Sequence, residues 1–178
     1  MKTHANGQPG NLGFFGQGTT PIGPIWVVWT DKGLCGLRLI HGLDYRAMIR
    51  EMTHLLPHLN FREDNRAARP LVRQINEVLS GNLRATQVRL DLVGTPFHRR
   101  VWKEMLRVPW GQTCSYSELA RRVGRPRAVR AVASACARNP IALVVPCHRI
   151  LRADGNLGGY YYGLDCKRKL LRLEKASV

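Results

Sequence analysis

Between Ser115 and Pro140 the chain reads SYSELARRVGRPRAVRAVASACARNP, two short helical patterns broken by Gly124 and Pro126. Ser115 with Glu118 three residues later is a capping box, so a helix is expected over 116–123, ending at Gly124. A second helix is expected to start after Arg125-Pro126, with Pro126 near its first turn, and to run to about Arg138, where Asn139-Pro140 stops it. Helix, short Gly-containing turn and helix make a helix-turn-helix. In the second helix Val129, Val132, Ala133 and Cys136 recur at helical spacing and form the expected core stripe. The opposite face carries Arg127, Ala131, Ser134 and Arg138, with Arg130 on its flank and Ala128 at its start. Small side chains allow close approach, and arginines at a helix suit phosphates. With no Asn or Gln on this face, base-edge reading is poor. The segment predicts weakly sequence-specific DNA binding through the minor groove; an ordinary solvated Ala-rich helix is the alternative it leaves open.

Charge bears on that choice. The 178 residues carry a formal net charge of +16. Residues 1–92 hold 11 basic and 7 acidic side chains, against 17 and 5 in residues 93–178. The second half therefore faces the polyanion, a nucleic acid or an anionic membrane surface. A 44% hydrophobic content excludes a disordered polyelectrolyte. No apolar stretch reaches the roughly 18 residues of a membrane span, and the start has no signal-peptide core. A soluble cytoplasmic protein is expected.

The first half reads as a small α/β unit. Residues 1–20, rich in Gly, Thr and Asn, are expected to be loop-like. Ile25–Thr30 and Leu34–Ile40 flank an Asp-Lys-Gly turn and predict a β-hairpin. Asp44 would cap a helix carrying Met48, Met52, Leu55 and Leu56. A second helix is expected over Arg69–Leu79, and a short strand over Gln87–Val93. Gly94-Thr95-Pro96 marks the boundary between domains 1–93 and 94–178, and Phe97–Val108 begins the second with a helix. Five cysteines at irregular spacing make no disulfide framework. His54 and His58 are separated by Pro57, and no His/Cys set suggests a metal. Neither metal nor cofactor is expected.

Downstream of the second helix lies IALVVPCHRI. The run Ile141–Val145 reads as a buried strand ended by Pro146, with Cys147 at its mouth beside His148 and Arg149. A thiol attacks as thiolate, and a neighbouring base or cation promotes that form. The residues alone leave two readings, a nucleophile or a buried cysteine beside a basic loop. On the C-terminal helix Lys167, Leu170, Leu171 and Glu174 share one face. A carboxylate aligned with leucines is expected to be partly buried and to need a partner.

The segment PCHRI, preceded by RAVRAVASACARNP and SYSELARRVGRP, resembles the O6-alkylguanine-DNA alkyltransferase family, densely over Thr95–Glu174 and more weakly over PIGP at 21–24 and Gly33-Leu34. The resemblance implies an α+β protein: a small N-terminal ribonuclease-H-like α/β domain, then a mainly helical C-terminal domain with a winged-helix-like helix-turn-helix. It implies single-turnover, irreversible transfer of the alkyl group from O6-alkylguanine in DNA to a cysteine, with O4-alkylthymine left open. By resemblance, Cys147 is the acceptor, His148 deprotonates it through a water and Glu174 orients His148. Asn139 bonds across the turn. Tyr116 protonates the leaving guanine and crowds the target phosphate. Arg130 fills the stack after the base flips out, on a DNA-binding face with Ala128, Ala131 and Ser134. Tyr160, Tyr161 and Lys167 line the pocket. Tyr160-Tyr161-Tyr162 departs from the family's pattern by its bulk and is expected to narrow that pocket. The expected partner is double-stranded DNA containing O6-alkylguanine, met by a monomer able to cluster on the duplex, with no membrane partner. A non-enzymatic DNA-binding module, which has no use for Cys147, and a Cys-His hydrolase, which needs an oxyanion hole, are the competing classes.

Overall fold

The computed structural model describes residues 12–40, 45–82 and 84–176. It is a mixed α+β protein. Strands β1 (Leu12–Thr20), β2 (Gly23–Thr30), β3 (Gly33–Leu39) and β4 (Asn60–Glu63) form one sheet in the order β3-β2-β1-β4. The first three are antiparallel neighbours, and β4 lies parallel to β1. The expected hairpin is therefore β2–β3. The expectation of a loop over residues 1–20 fails for 12–20, which is β1; residues 1–11 lie outside the described residues.

Glycine misled that expectation. A Cβ on Gly16 would stand 2.6 Å from Ala68 Cβ, and one on Gly18 would stand 2.4 Å from Val72 Cγ2. Helix α2 (Asn65–Leu79) thus lies directly on β1, and these glycines mark a close approach rather than a turn. Asp64 caps α2 by accepting from Ala67 N at 2.8 Å, so the helix starts four residues before the expected Arg69 and contains Pro70 in its second turn. Helix α1 (Tyr45–Leu55) connects β3 to β4. Its predicted cap Asp44, and the side chains of Met48, Met52 and Leu55, lie outside the described residues; Leu56 is buried.

One sheet face and α2 supply Ile25, Val27, Leu37, Ile75 and Val78 to a core that continues into the second half. The other face packs Phe15, Trp26, Val28 and Cys35 against Leu56 and Leu59. The predicted strand over Gln87–Val93 is instead a 3-10 turn at Ala85–Gln87 followed by extended chain, of which only Leu90 bridges to Leu34. Val88 is buried there, so the alternation reports burial without a ladder.

The second half holds α3 (Pro96–Met105), α4 (Tyr116–Arg122), α5 (Val129–Ala137) and α6 (Leu164–Leu173). Strands β5 (Cys114–Ser115) and β6 (Ile150–Leu151) pair in parallel. Ser115 Oγ accepts from Glu118 N at 3.0 Å, as the cap predicts. The Glu118 carboxylate pairs with Arg122. Pro126 precedes α5, which begins at Val129 after a separate turn over Arg125–Ala128 closed by Ala128 N donating to Arg125 O. The core side of α5 is Val132, Ala135 and Cys136, while Ala133 is only half-buried. Trp102 Nε1 donates to Ala135 O at 2.8 Å and fastens α3 to α5.

The halves meet at the edge of β3. Leu37 N donates to Pro140 O at 2.9 Å, and Ala142 N donates to Leu37 O at 3.2 Å. Residues 140–142 thereby cover a strand edge that would otherwise be open, and they anchor the segment leading to Cys147.

Candidate functional site

The predicted strand Ile141–Val145 is a buried turn. Ile141 makes one bridge, and Leu143 adopts φ 67°, a left-handed conformation that branched and bulky residues avoid. All five residues are at most 2% exposed. Burial explains the apolar run, and its length could not separate strand from turn. The turn closes through Val145 N donating to Ile141 O at 3.0 Å, and Cys147–Arg149 follow as one 3-10 turn. A 3-10 turn separates successive side chains by about 120°, so Cys147 and His148 point in different directions.

Cys147 lies at a cavity of about 330 Å³ lined among others by Tyr116, Ala133, Asn139 and Tyr160. Asn139 spans the turn. Its Nδ2 donates to Val145 O at 2.8 Å and to Cys147 Sγ at 3.3 Å, and its Oδ1 accepts from Ile141 N at 3.0 Å. Burial pushes the Cys147 thiol up; the Asn139 bond and the charges of Lys167 and Arg38 act the other way. Tyr116 is pushed up to about 12 by burial, so its phenol stays protonated and can donate.

His148 and Arg149 turn inward. His148 is fully buried, and its Nε2 lies 2.7 Å from Glu174 Oε1. Its Nδ1 has no hydrogen-bond partner among the described residues. Glu174, at the C-terminal cap of α6, is 2% exposed. It also accepts from Arg149 Nε at 2.8 Å and from Nη2 at 3.0 Å. Burial raises Glu174, but the His148 and Arg149 bonds outweigh it and hold the carboxyl at about 2. Burial lowers His148 below its ordinary value despite Glu174, so the imidazole is neutral at pH 7. A neutral ring that donates from Nε2 to the carboxylate leaves Nδ1 as an available base.

The sequence does not show where two residues of this site act. Arg149, expected only as a cation near sulfur, clamps Glu174, donates from Nη1 to Val108 O at 2.6 Å and stacks over Trp110. Arg38, from β3, lines the cavity, pairs with Glu51 at 2.8 Å and donates to Asn139 O at 2.9 Å. Lys167 differs from its expected place. It is fully buried and off the cavity lining, with Nζ donating to Ile150 O at 2.6 Å and to Leu157 O. Desolvation brings its pKa down to about 8. Tyr160 and Tyr161 do line the cavity. Arg130, Ala131 and Ser134 are exposed along α5, next to the cavity-lining Ala133 and Ala137, and Ala128 caps that helix half-buried.

Residues 96–176 match the family described as 6-O-methylguanine DNA methyltransferase, DNA binding domain. The methylated-DNA–protein-cysteine methyltransferase of Mycobacterium tuberculosis is 41% identical over 159 residues, 89% of this chain and 90% of that protein. The Methanosarcina barkeri protein of the same name is 38% identical over 89% of this chain and 95% of its own length. The M. tuberculosis protein solved in complex with DNA superposes with a TM-score of 0.76 at 40% identity, over 91% of this chain and 92% of that one. The O6-methylguanine-DNA methyltransferase of Pyrococcus kodakaraensis gives a TM-score of 0.67 at 25% identity, over 91% and 98%. A thiol lining a cavity, a buried imidazole on a carboxylate at the next residue and near-complete coverage of these relatives lead to one assignment: the chain belongs to the methylated-DNA–protein-cysteine methyltransferase family.

Proposed function

We propose that this protein repairs O6-alkylguanine in DNA by moving the alkyl group onto Cys147 Sγ, once per molecule. The observation that carries the reading is the placement of Cys147 at the cavity, bonded to Asn139, with the Glu174–His148 pair buried beside it. The thiol proton passes through a water to His148 Nδ1. The sulfur then forms a bond to the alkyl carbon as the carbon–O6 bond breaks, and the electron pair leaves with guanine. Tyr116 supplies a proton to the leaving base and recovers one from His148 through solvent. In net terms the thiol proton replaces the alkyl group on guanine. Water does not expel a thiolate from an unactivated thioether at neutral pH, so the protein is spent.

The target atom is inaccessible within the stack, so the nucleotide must flip into the cavity. Arg130 fills the gap, while Ala128, Ala131 and Ser134 admit the backbone of α5 closely to the minor groove. We divide the chain at 93/94 into an N-terminal unit of ribonuclease-H-like type and a C-terminal winged-helix-like unit, in which α4 and α5 are the helix-turn-helix.

The test is intact mass after incubation with duplex DNA carrying O6-methylguanine. One methyl per molecule, on the peptide containing Cys147, is expected. Cys147→Ala abolishes the gain and retains DNA binding. Absence of any gain in the parent protein overturns the reading, and turnover without modification replaces it with hydrolysis.

A further inference from the structure

A second cavity, of about 550 Å³, is lined by residues of both halves, from the end of α2, the segment after α3 and Arg149. It falls within the roughly 300–1,000 Å³ typical of small-molecule sites. Part of its wall is apolar: Val78 and Val108 are buried, and Leu106 and Trp110 are half-buried. Its charged lining is Arg84, Arg107 and Arg149, and no carboxylate among the described residues lines it. Arg107 pairs with Glu104 at 2.6 Å, and Arg149 pairs with Glu174 at 2.8 Å. Arg84 is exposed and has no ion pair among the described residues. Arg149 also has donors to spare. An arginine side chain carries five N–H groups. Nε and Nη2 of Arg149 each give one to Glu174, and Nη1 gives one to Val108 O. The second N–H on Nη1 and on Nη2 has no acceptor among the described residues, in a residue only 4% exposed. A buried donor without an acceptor is costly. An acceptor placed in the cavity completes the set.

We infer that this cavity binds a small phosphate monoester carrying a flat ring, of the nucleoside monophosphate class. The phosphate takes Arg84, the cation without a carboxylate, and accepts from the unused N–H groups of Arg149, in the fork geometry that guanidinium groups offer to phosphate. The ring lies against Trp110 and Leu106. A bare anion leaves the apolar wall uncovered, and a neutral ring leaves the cation and the buried donors without a partner, so the ligand needs both parts. The N–H groups that serve the phosphate are not those that hold Glu174. Occupancy therefore leaves the His148–Glu174 pair in place, and binding does not depend on alkyl transfer.

The experiment follows the backbone and indole N–H signals of the intact chain by heteronuclear NMR during titration with adenosine monophosphate. Trp110→Phe assigns the Trp110 indole signal by its loss. That signal is expected to shift with a dissociation constant below about 1 mM. The signal of Trp102, whose Nε1 is bonded to Ala135 O in α5, is expected to stay in place. Arg84→Gln should weaken binding at least about tenfold, the loss of one charged hydrogen bond, and leave the methyl-transfer rate unchanged. Inorganic phosphate and adenosine, titrated separately, should each bind at least about tenfold more weakly than the nucleotide. An unmoved Trp110 signal means that water alone fills the cavity and overturns the site. Shifts confined to Ala133 and Ala137 place the nucleotide at the Cys147 cavity and overturn it equally. Phosphate binding as tightly as the nucleotide overturns the ligand class, and so does adenosine binding as tightly. An affinity unmoved by Arg84→Gln overturns the assignment of the phosphate.

Discussion

Arg38 on β3 donates to the main-chain carbonyl of Asn139, 2.9 Å away and 101 residues further along the chain. Asn139 in turn bonds the sulfur of Cys147. The N-terminal sheet is thus two hydrogen bonds from the candidate nucleophile, and the guanidinium both fixes the turn and opposes the burial effect on the thiol.

Arg38→Ala leaves the Asn139 carbonyl without its donor and Glu51 without its cation. Hydrogen bonds to a charged group are worth about 1.5–3 kcal/mol each, and Glu51 is a quarter exposed, which reduces its share. A loss of about 2 kcal/mol is expected in urea unfolding, with slower methyl transfer. Arg38→Lys cannot span both partners and falls between the two. Unchanged stability in both variants would show that the contact does not hold the halves together.

Acid sensitivity follows from the buried His148–Glu174–Arg149 cluster. Glu174 is held at about 2 in the folded protein against an ordinary 4.5. A carboxyl with a depressed folded value contributes stability above its unfolded value, and the contribution disappears as pH falls through the folded one. At about 1.4 kcal/mol per unit, about 3 kcal/mol should be lost between pH 4.5 and 2. His148 is lowered by burial and has to take up a proton on unfolding, so loss begins already below its ordinary 6.5. Urea midpoints measured against pH should fall below 6.5 and steepen below 4.5. In Glu174→Gln the steeper limb should vanish.

The burial of Glu174 and the two helices α4 and α5 were legible in the sequence because their signals are local. Glu174 falls on a leucine face at fixed helical spacing, and a carboxylate there has to find a partner. Ser115 and Gly124 punctuate α4 by their own backbone chemistry. Arg38 was not legible, since an arginine within a hairpin strand reads as a solvent-facing residue and its partner lies far along the chain. Lys167 shares the predicted buried face, but its length carries the ammonium to the Ile150 and Leu157 carbonyls instead of the cavity. The Ile141–Val145 run showed burial correctly and shape wrongly. Five apolar residues satisfy a strand or a turn equally, and the left-handed Leu143 is fixed by tertiary contacts.

Arg130 is exposed on α5, and among the described residues its side chain has no hydrogen bond or ion pair. Arg130→Ala should therefore leave the melting temperature within a degree or two. If the guanidinium replaces the flipped base in the stack, methyl transfer from duplex DNA should slow at least tenfold and transfer from a single-stranded oligonucleotide less than threefold. Equal slowing on both substrates assigns Arg130 to phosphate contact. In that case its removal should reduce the salt slope of binding by about one.

The pH dependence of transfer separates base from acid. His148 acts as a base only when neutral, and burial lowers its pKa. The rate is therefore expected to hold steady from pH 7.5 down to about 6.5 and to fall only at lower pH. If His148 is the base, His148→Gln should flatten that acid limb and lower the plateau by about 10² or more, the usual contribution of general acid–base help. Tyr116 at about 12 remains a donor across the whole range. Tyr116→Phe should lower the rate at every pH and leave the acid limb in place. Stopped-flow quenching of methyl transfer at pH 5.5 to 8.5 reads both effects. An acid limb that survives in His148→Gln would place the titrating base elsewhere.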